Sequence, residues 1–132
     1  MKIEDLHNYI DSRKDYLDEI NEILITLIPK DEPEMIKEHL TLILSHRATV
    51  ATMLAKLEMM LDGALASYLS IKEKSETDLD RKYKLDEKVA DFRYWRNLVE
   101  GLLKTIDLQV SSMQSLLSFE KKHLTQLSEI TP

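Results

Sequence analysis

The sequence predicts an all-α fold: one shorter helix is followed by a long antiparallel helical hairpin with coiled-coil-like packing, and copies assemble into a homo-oligomer. Two observations favour this fold class. The 132 residues include only two glycines and three prolines, whereas 32% are charged. Apolar residues also recur at alternating spacings of three and four, which is typical of packed helices. A sheet would need turn residues that this chain lacks.

The first predicted helix covers about residues 2–28. Its apolar row consists of Ile3, Leu6, Ile10, Leu17, Ile20, Leu24 and Leu27, with Arg13 in the one gap of the heptad spacing. Pro29 and Pro33 cannot continue a helix, and the acidic residues around them suit the start of the next one. A second helix is therefore predicted to begin at about residue 34.

The second helix is predicted over about residues 34–74 and the third over about 81–128, with a bend at about 75–80. Both helices carry heptad rows, and Arg47 and Arg96 stand within these rows. A bend centred near residue 77 brings Arg47 opposite about residue 108, so Asp107 is the candidate partner of Arg47.

Each long helix also carries a second apolar row that one short helix can cover only in part. We therefore expect other copies of the chain to bury the remainder, which predicts a homo-oligomer. The residues expected to anchor the core or the oligomer are Phe92, Trp95, Leu98, Leu102, Leu116 and Phe119, with Arg47 and Arg96 setting the register.

No catalytic, metal or cofactor site is predicted, and no small-molecule substrate. The chain has no cysteine, no glycine-rich phosphate loop and no His-Glu-x-x-His motif. Its four histidines lack a spacing that would bind one metal ion. The first residues are too acidic for a signal peptide, and no apolar run suffices to span a membrane, so we expect a single cytoplasmic domain without membrane contact.

Charge is distributed unevenly along the chain. Residues 1–34 contain ten acidic and four basic side chains, and the rest of the chain is neutral overall. Seven acidic residues are interleaved with basic residues around the predicted bend. The basic residues there are Lys72, Lys74, Arg81, Lys82, Lys84, Lys88, Arg93 and Arg96. This pattern fits either a solvated face with i, i+4 ion pairs or a surface that follows a phosphate backbone.

Helical geometry assigns the residues of the stretch "DFRYWRNLVEGLL" to an inward and an outward face. Phe92 and Arg96 belong to the heptad row, and Trp95 begins the second apolar row, so these three side chains are expected to point inward. Tyr94 lies on neither row. Arg93 and Tyr94 are therefore the predicted cation and stacking group for a nucleic-acid base.

Four short motifs resemble those of the UvsY-type recombination mediators of tailed phages: "MKIEDL", "LAKLE", "DRKY" and "YWRNLVEGLLKTID". The resemblance implies a helical homo-oligomer in the host cytoplasm that binds single-stranded DNA. It also implies that the protein helps to displace the single-strand-binding protein and loads a RecA-like recombinase. In that family, cations of the second helix contact DNA. In this chain Lys56 lies near the matching position. The next two residues are Leu57 and Glu58, so the second cation expected from the family is missing.

An alternative function is a helical scaffold or adaptor. In this interpretation the acidic first helix binds protein partners and the chain does not bind nucleic acid. Both interpretations describe a non-enzymatic protein.

Overall fold

The computed structural model describes residues 3–70 and 78–130. These residues form three helices and no strand: α1 is Ile3–Ile25, α2 is Pro33–Ser70 and α3 is Asp78–Ile130. The most extensive packing is between α2 and α3, and α1 contacts both of them. The predicted all-α class is confirmed.

Helix α1 ends at Ile25, a few residues before the sequence predicted. Its carbonyl at Leu24 accepts a hydrogen bond of 2.7 Å from Nε2 of Gln109 in α3. This bond satisfies one of the carbonyls that a helix end leaves without an intrahelical partner. Leu27 was predicted in the apolar row but is 93% exposed. It lies beyond the helix because Pro29 has no N–H to donate to the carbonyl of Ile25, and its ring would clash with that carbonyl if the helix continued.

Helix α2 begins where the prolines and acids predicted. The carbonyl of Glu32 accepts the first helical hydrogen bond, of 3.1 Å, from the amide of Ile36. Pro33 is thus the first helical residue, where its missing N–H costs nothing. Glu34 in the first turn places negative charge near the positive end of the helix dipole.

The predicted bend lies largely outside the described residues. Residues 71–77, which include Lys72 and Lys74, are not among them. Residues 78–80 were predicted in the bend but already belong to α3. At 1.5 Å per residue α3 is roughly 80 Å long and α2 roughly 57 Å.

All three helices contribute to one hydrophobic core. The largest fully buried side chains are Leu6, Ile20, Ile36, Ile43, Val50, Val89, Phe92, Val99 and Ile106. The second row of α2 is buried at Met53 and Met60, which join this core within the single chain. Trp95, Leu98 and Leu102 in α3 are partly buried against the same core. The apolar rows predicted from the sequence are therefore largely covered by the chain itself.

The predicted pair Arg47–Asp107 is confirmed. Nε of Arg47 donates to Oδ1 of Asp107 at 2.6 Å, and Nη2 donates to Oδ2 at 3.3 Å. Hydrogen bonding to Arg47 holds the pKa of Asp107 below its usual range, and the positive charge of Arg47 adds to this effect while desolvation opposes it. Both side chains remain about half exposed, so the pair orients α2 against α3 more than it stabilises the fold.

Replacing Ile106 by Ala tests the core. Ile106 is fully buried in the shared core, so we expect the free energy of unfolding to fall by about 2–5 kcal/mol. Leu108→Ala is the matched control, because Leu108 is 72% exposed two residues away on the same helix. We expect the control to change stability by less than about 0.5 kcal/mol in urea unfolding. Equal effects of the two substitutions would contradict the assigned core.

Asp107→Asn tests the ion pair through its pH dependence. A carboxyl whose pKa is lower in the folded chain stabilises the fold above its unfolded-state pKa. That contribution disappears as the pH falls through the lowered value. Urea unfolding should therefore show the variant to be less stable than the parent at neutral pH and equal to it in strong acid. A difference that persists in strong acid would argue against the pair.

Candidate nucleic-acid interface

The first turns of α3 carry three of the predicted cations whose side chains the structure describes. Lys82, Lys84 and Lys88 are exposed there. Arg81 lies in the helix, but its side chain is outside the described part, as are Lys72 and Lys74. The structure thus supports an exposed cationic surface on α3 at three of the predicted positions.

An open cleft of about 540 Å³ lies between the start of α1 and this part of α3. It is lined by His7, Lys84, Glu87, Lys88 and Asp91. The ring of His7 packs edge-on against Phe92, with 4.6 Å between centroids, which anchors the wall that α1 provides. Two lysines and two carboxylates face one space, so the cleft is mixed in charge and its attraction for phosphate is modest.

Arg93 and Tyr94 differ in how free they are to contact a ligand. Nη1 of Arg93 contacts Oδ1 of Asp86 at 3.3 Å in a pair that is about half exposed. This contact neutralises part of the charge that was predicted to face DNA. Tyr94 is 60% exposed, as predicted, and its ring packs edge-on against Trp95 at 5.7 Å. More than half of the Tyr94 side chain is therefore exposed to solvent.

A second exposed aromatic, Tyr83, was missed by the sequence reasoning. It is 69% exposed and lines a small pocket with Leu79, Lys82 and Asp86. Tyr83 and Tyr94 are eleven residues apart, which is close to three full turns, so they lie on the same face of α3 at roughly 16 Å. Tyr83 could have been found from the sequence. Both tyrosines fall outside the apolar rows, and their spacing of eleven residues places them on one face of the helix.

Lys56 lies on α2, apart from the α3 cations, and its side chain contacts α1. Its Nζ is 4.6 Å from the ring centroid of Tyr9, and the guanidinium of Arg13 lies 5.3 Å from the same centroid. Tyr9 therefore stands between two cations, each at a distance typical of a cation–π contact. Lys56 thus joins α2 to α1, a structural role that the sequence did not predict.

On the opposite side of α1, Lys14 reaches Trp95. Its Nζ is 5.3 Å from the Trp95 ring and 3.0 Å from Oδ1 of Asp11. Trp95 is partly buried against the core, as predicted for an anchor. Arg96 is also half-buried, donating from Nη2 to the Asn97 side chain at 3.1 Å.

Tyr16 and His46 make a further contact between α1 and α2. The Tyr16 hydroxyl lies 2.8 Å from Nδ1 of His46. Burial raises the pKa of Tyr16; the nearby charge of Glu19 adds to the increase and a hydrogen bond with Thr49 opposes it. A partly buried polar contact of this kind requires a specific alignment, so it helps to set the register of α1 on α2.

The outward face of α1 is acidic. Asp15, Asp18 and Glu22 follow one another at helical spacing and are exposed, and none has an ion pair within the described residues. Helix α1 as a whole contains seven acidic and two basic side chains. This face repels polyanions and suits a basic protein surface.

Other kinds of site find no support within residues 3–70 and 78–130. No group of three or more potential ligands is positioned for a metal ion. No helical segment in these ranges combines the length and the hydropathy of a membrane crossing. Comparison of the chain with family models, curated proteins and solved structures finds no match in any of the three. Functional inference therefore starts from the side chains described above and the motifs of the sequence.

Proposed function

We propose that the protein is a non-enzymatic, oligomeric accessory protein of phage-type DNA recombination and replication. It binds single-stranded DNA in the host cytoplasm and acts as a mediator that loads a RecA-like recombinase. The observation that carries the DNA-binding part is the pair of exposed tyrosines on one face of α3, Tyr83 and Tyr94, among exposed lysines. Stacking on aromatic rings beside phosphate-binding cations is how proteins hold single strands without reading their sequence.

Binding by one subunit is expected to be weak. Glu87 and Asp91 lie between the two tyrosines along α3, and Arg93 already contacts Asp86. These carboxylates reduce the net attraction for phosphates. An oligomer repeats the surface, so several weak contacts on one strand combine into a tight, salt-sensitive complex.

The proposal includes an antiparallel α2–α3 hairpin with coiled-coil-like packing. The contacts Tyr9–Lys56 and Tyr16–His46 support opposite directions for α1 and α2. The contacts His7–Phe92 and Leu24–Gln109 support the same direction for α1 and α3. Together they imply that α2 and α3 run in opposite directions, and the heptad rows supply the packing.

The homo-oligomer draws its support from apolar side chains that remain exposed or only partly buried within the described parts of the chain. Phe119 and Leu42 remain exposed, and Leu116 is only partly buried. Exposed apolar positions grouped along a helix are typical of a surface that binds another protein. Phe119 and Leu116 were among the predicted oligomer anchors, and they keep that role in the proposal.

Recruitment of the recombinase and displacement of the single-strand-binding protein are proposed from the resemblance in sequence. The acidic face of α1 is the surface best suited to a protein partner, because it is exposed and repels DNA. The same face supports a second candidate function, an adaptor that binds proteins through α1 and does not bind nucleic acid.

Fluorescence anisotropy with a labelled oligothymidine tests DNA binding. We expect the Tyr83→Ala/Tyr94→Ala double variant to bind at least about tenfold more weakly, because each stacked base contributes about 1–3 kcal/mol. Tyr83→Phe/Tyr94→Phe is the matched control and should bind like the parent, since the rings remain. The affinity of the parent should also fall steeply with added salt.

Two outcomes would count against the proposal. Failure of the parent protein to bind the oligonucleotide at low salt would contradict it and favour the adaptor. Equal binding by the alanine and phenylalanine variants would contradict the assignment of Tyr83 and Tyr94 as the stacking surface.

A further inference from the structure

Two aliphatic side chains are exposed where α1 ends. Ile25, the last residue of the helix, is 63% exposed, and Leu27, two residues later, is 93% exposed. The other leucine and isoleucine side chains of α1 from Leu6 to Leu24 are buried or partly buried. Ile25 and Leu27 therefore present apolar surface that the described parts of the chain leave exposed.

Ile25 continues the acidic row on the outward face of α1. Asp15, Asp18, Glu22 and Ile25 follow one another at spacings of three, four and three residues, so they lie along one side of the helix. All four side chains are exposed. Asp15 and Glu22 are seven residues apart, or about 10 Å by rise. The outward face of α1 is therefore a line of carboxylates that ends in apolar side chains.

Two hydrogen bonds of Thr26 fix the chain where it leaves α1. The Thr26 amide donates to the carbonyl of Ile23 at 3.3 Å, and the Thr26 hydroxyl donates to the carbonyl of Glu22 at 2.8 Å. Both carbonyls belong to the last turn of the helix, where intrahelical partners run out. Leu27 thus follows directly on a capped helix end, beside the acidic row.

The connection from Leu27 to α2 is short and constrained. The ring of Pro29 fixes its φ, and the Pro29 carbonyl accepts a hydrogen bond of 3.4 Å from the Glu32 amide, which closes a turn. Pro33 then begins α2. A side chain on a constrained segment loses less conformational entropy on binding than one on a long flexible loop. Leu27 is therefore suited to enter a pocket of another molecule.

The charge of this surface decides what kind of molecule fits it. The row of carboxylates repels nucleic acid and anionic lipid, and it attracts lysine and arginine side chains. A second copy of the chain that docked through the same face would set these carboxylates against its own. The surface therefore fits a different protein, one with a basic surface.

We propose that the outward row of α1 and the adjoining Leu27 form one docking surface for a partner protein whose row of lysine or arginine side chains ends at an apolar pocket. The cations pair with the carboxylates of the row, and the pocket receives Leu27. Burial of the leucine supplies affinity, because it removes apolar surface from water, and the charges supply orientation. The inference rests on the protein-binding role of α1 in the proposed function and does not depend on DNA binding.

Selection from a display library of helical peptides with randomised sequences tests the chemistry of the partner. The parent protein should enrich peptides that combine lysine or arginine at spacings of three and four residues with apolar residues at one end. Enrichment of acidic or uncharged peptides, or of no peptide, would overturn the proposal.

Leu27→Ser tests the apolar contact in fluorescence anisotropy with the most enriched peptide. We expect the affinity to fall at least about tenfold, because the apolar contact is lost. Leu79→Ser is the matched control, since Leu79 is also exposed, at 62%, and lies at the start of α3. The control should bind within about twofold of the parent. Equal affinities of the two variants would overturn the assignment of Leu27.

Glu22→Lys tests the acidic row with the same peptide. The variant sets a cation against the cations of the peptide, so binding should weaken at least about threefold at low salt, and added salt should reduce the difference. Glu58→Lys makes the same change in net charge at an exposed position of α2 and should have a smaller effect. Equal effects would show that net charge alone matters and would overturn the docking row.

Further measurements on Leu27→Ser separate this surface from the rest of the proposed function. Circular dichroism should show the helix content of the parent, because the Leu27 side chain is almost fully exposed. Sedimentation equilibrium should give the mass of the parent. A loss of the oligomer together with peptide binding would assign the surface to a second copy and overturn the proposal.

The labelled oligothymidine completes the separation. Leu27→Ser should bind it like the parent, because the carboxylates of α1 repel DNA. A parent protein that binds the selected peptide but no oligonucleotide would support this surface and contradict only the proposed DNA binding. A parent protein that binds the oligonucleotide but no peptide would overturn only this inference.

Discussion

The apolar row of α1 packs against α2 and α3 at the same time. Leu6, Ile10, Leu17, Ile20 and Leu24 are all buried in the shared core. Without α1, two long helices could bury only the rows that face each other, and Met53 and Met60 would be exposed to water. Because burying each such side chain stabilises the fold by about 1.5–3 kcal/mol, the position of α1 decides which surfaces are interior and which remain available.

The polar contacts around α1 make its position specific. Tyr9 lies between Lys56 and Arg13 on one side, and Lys14 lies over Trp95 on the other. Each contact is weak, but together they allow one register of α1 on the two long helices. They also engage cations that would otherwise face a polyanion. In the proposed function, the first turns of α3 are therefore the surface for nucleic acid, and the acidic exterior of α1 is the surface for a protein partner.

Several features could be predicted from periodicity because they depend on one helix or on one simple register. The burial of Phe92 and the exposure of Tyr94 follow from their positions relative to the apolar rows. The Arg47–Asp107 pair followed from the centre of the bend. Features that depend on how α1 packs against the two long helices could not be predicted in this way. A heptad row tells which face of α2 is apolar but not what covers it, so Met53 and Met60 did not reveal α1 as their partner.

The sequence by itself determined the three helices, the turn at the prolines and the inward rows, because these depend on local geometry and helical period. Only the tertiary structure decided that Lys56 contacts Tyr9, that Gln109 caps α1, and that Tyr83 is exposed. These outcomes depend on where α1 lies against the two long helices. That position is set by the summed packing of many side chains distant in sequence, and no single motif encodes it.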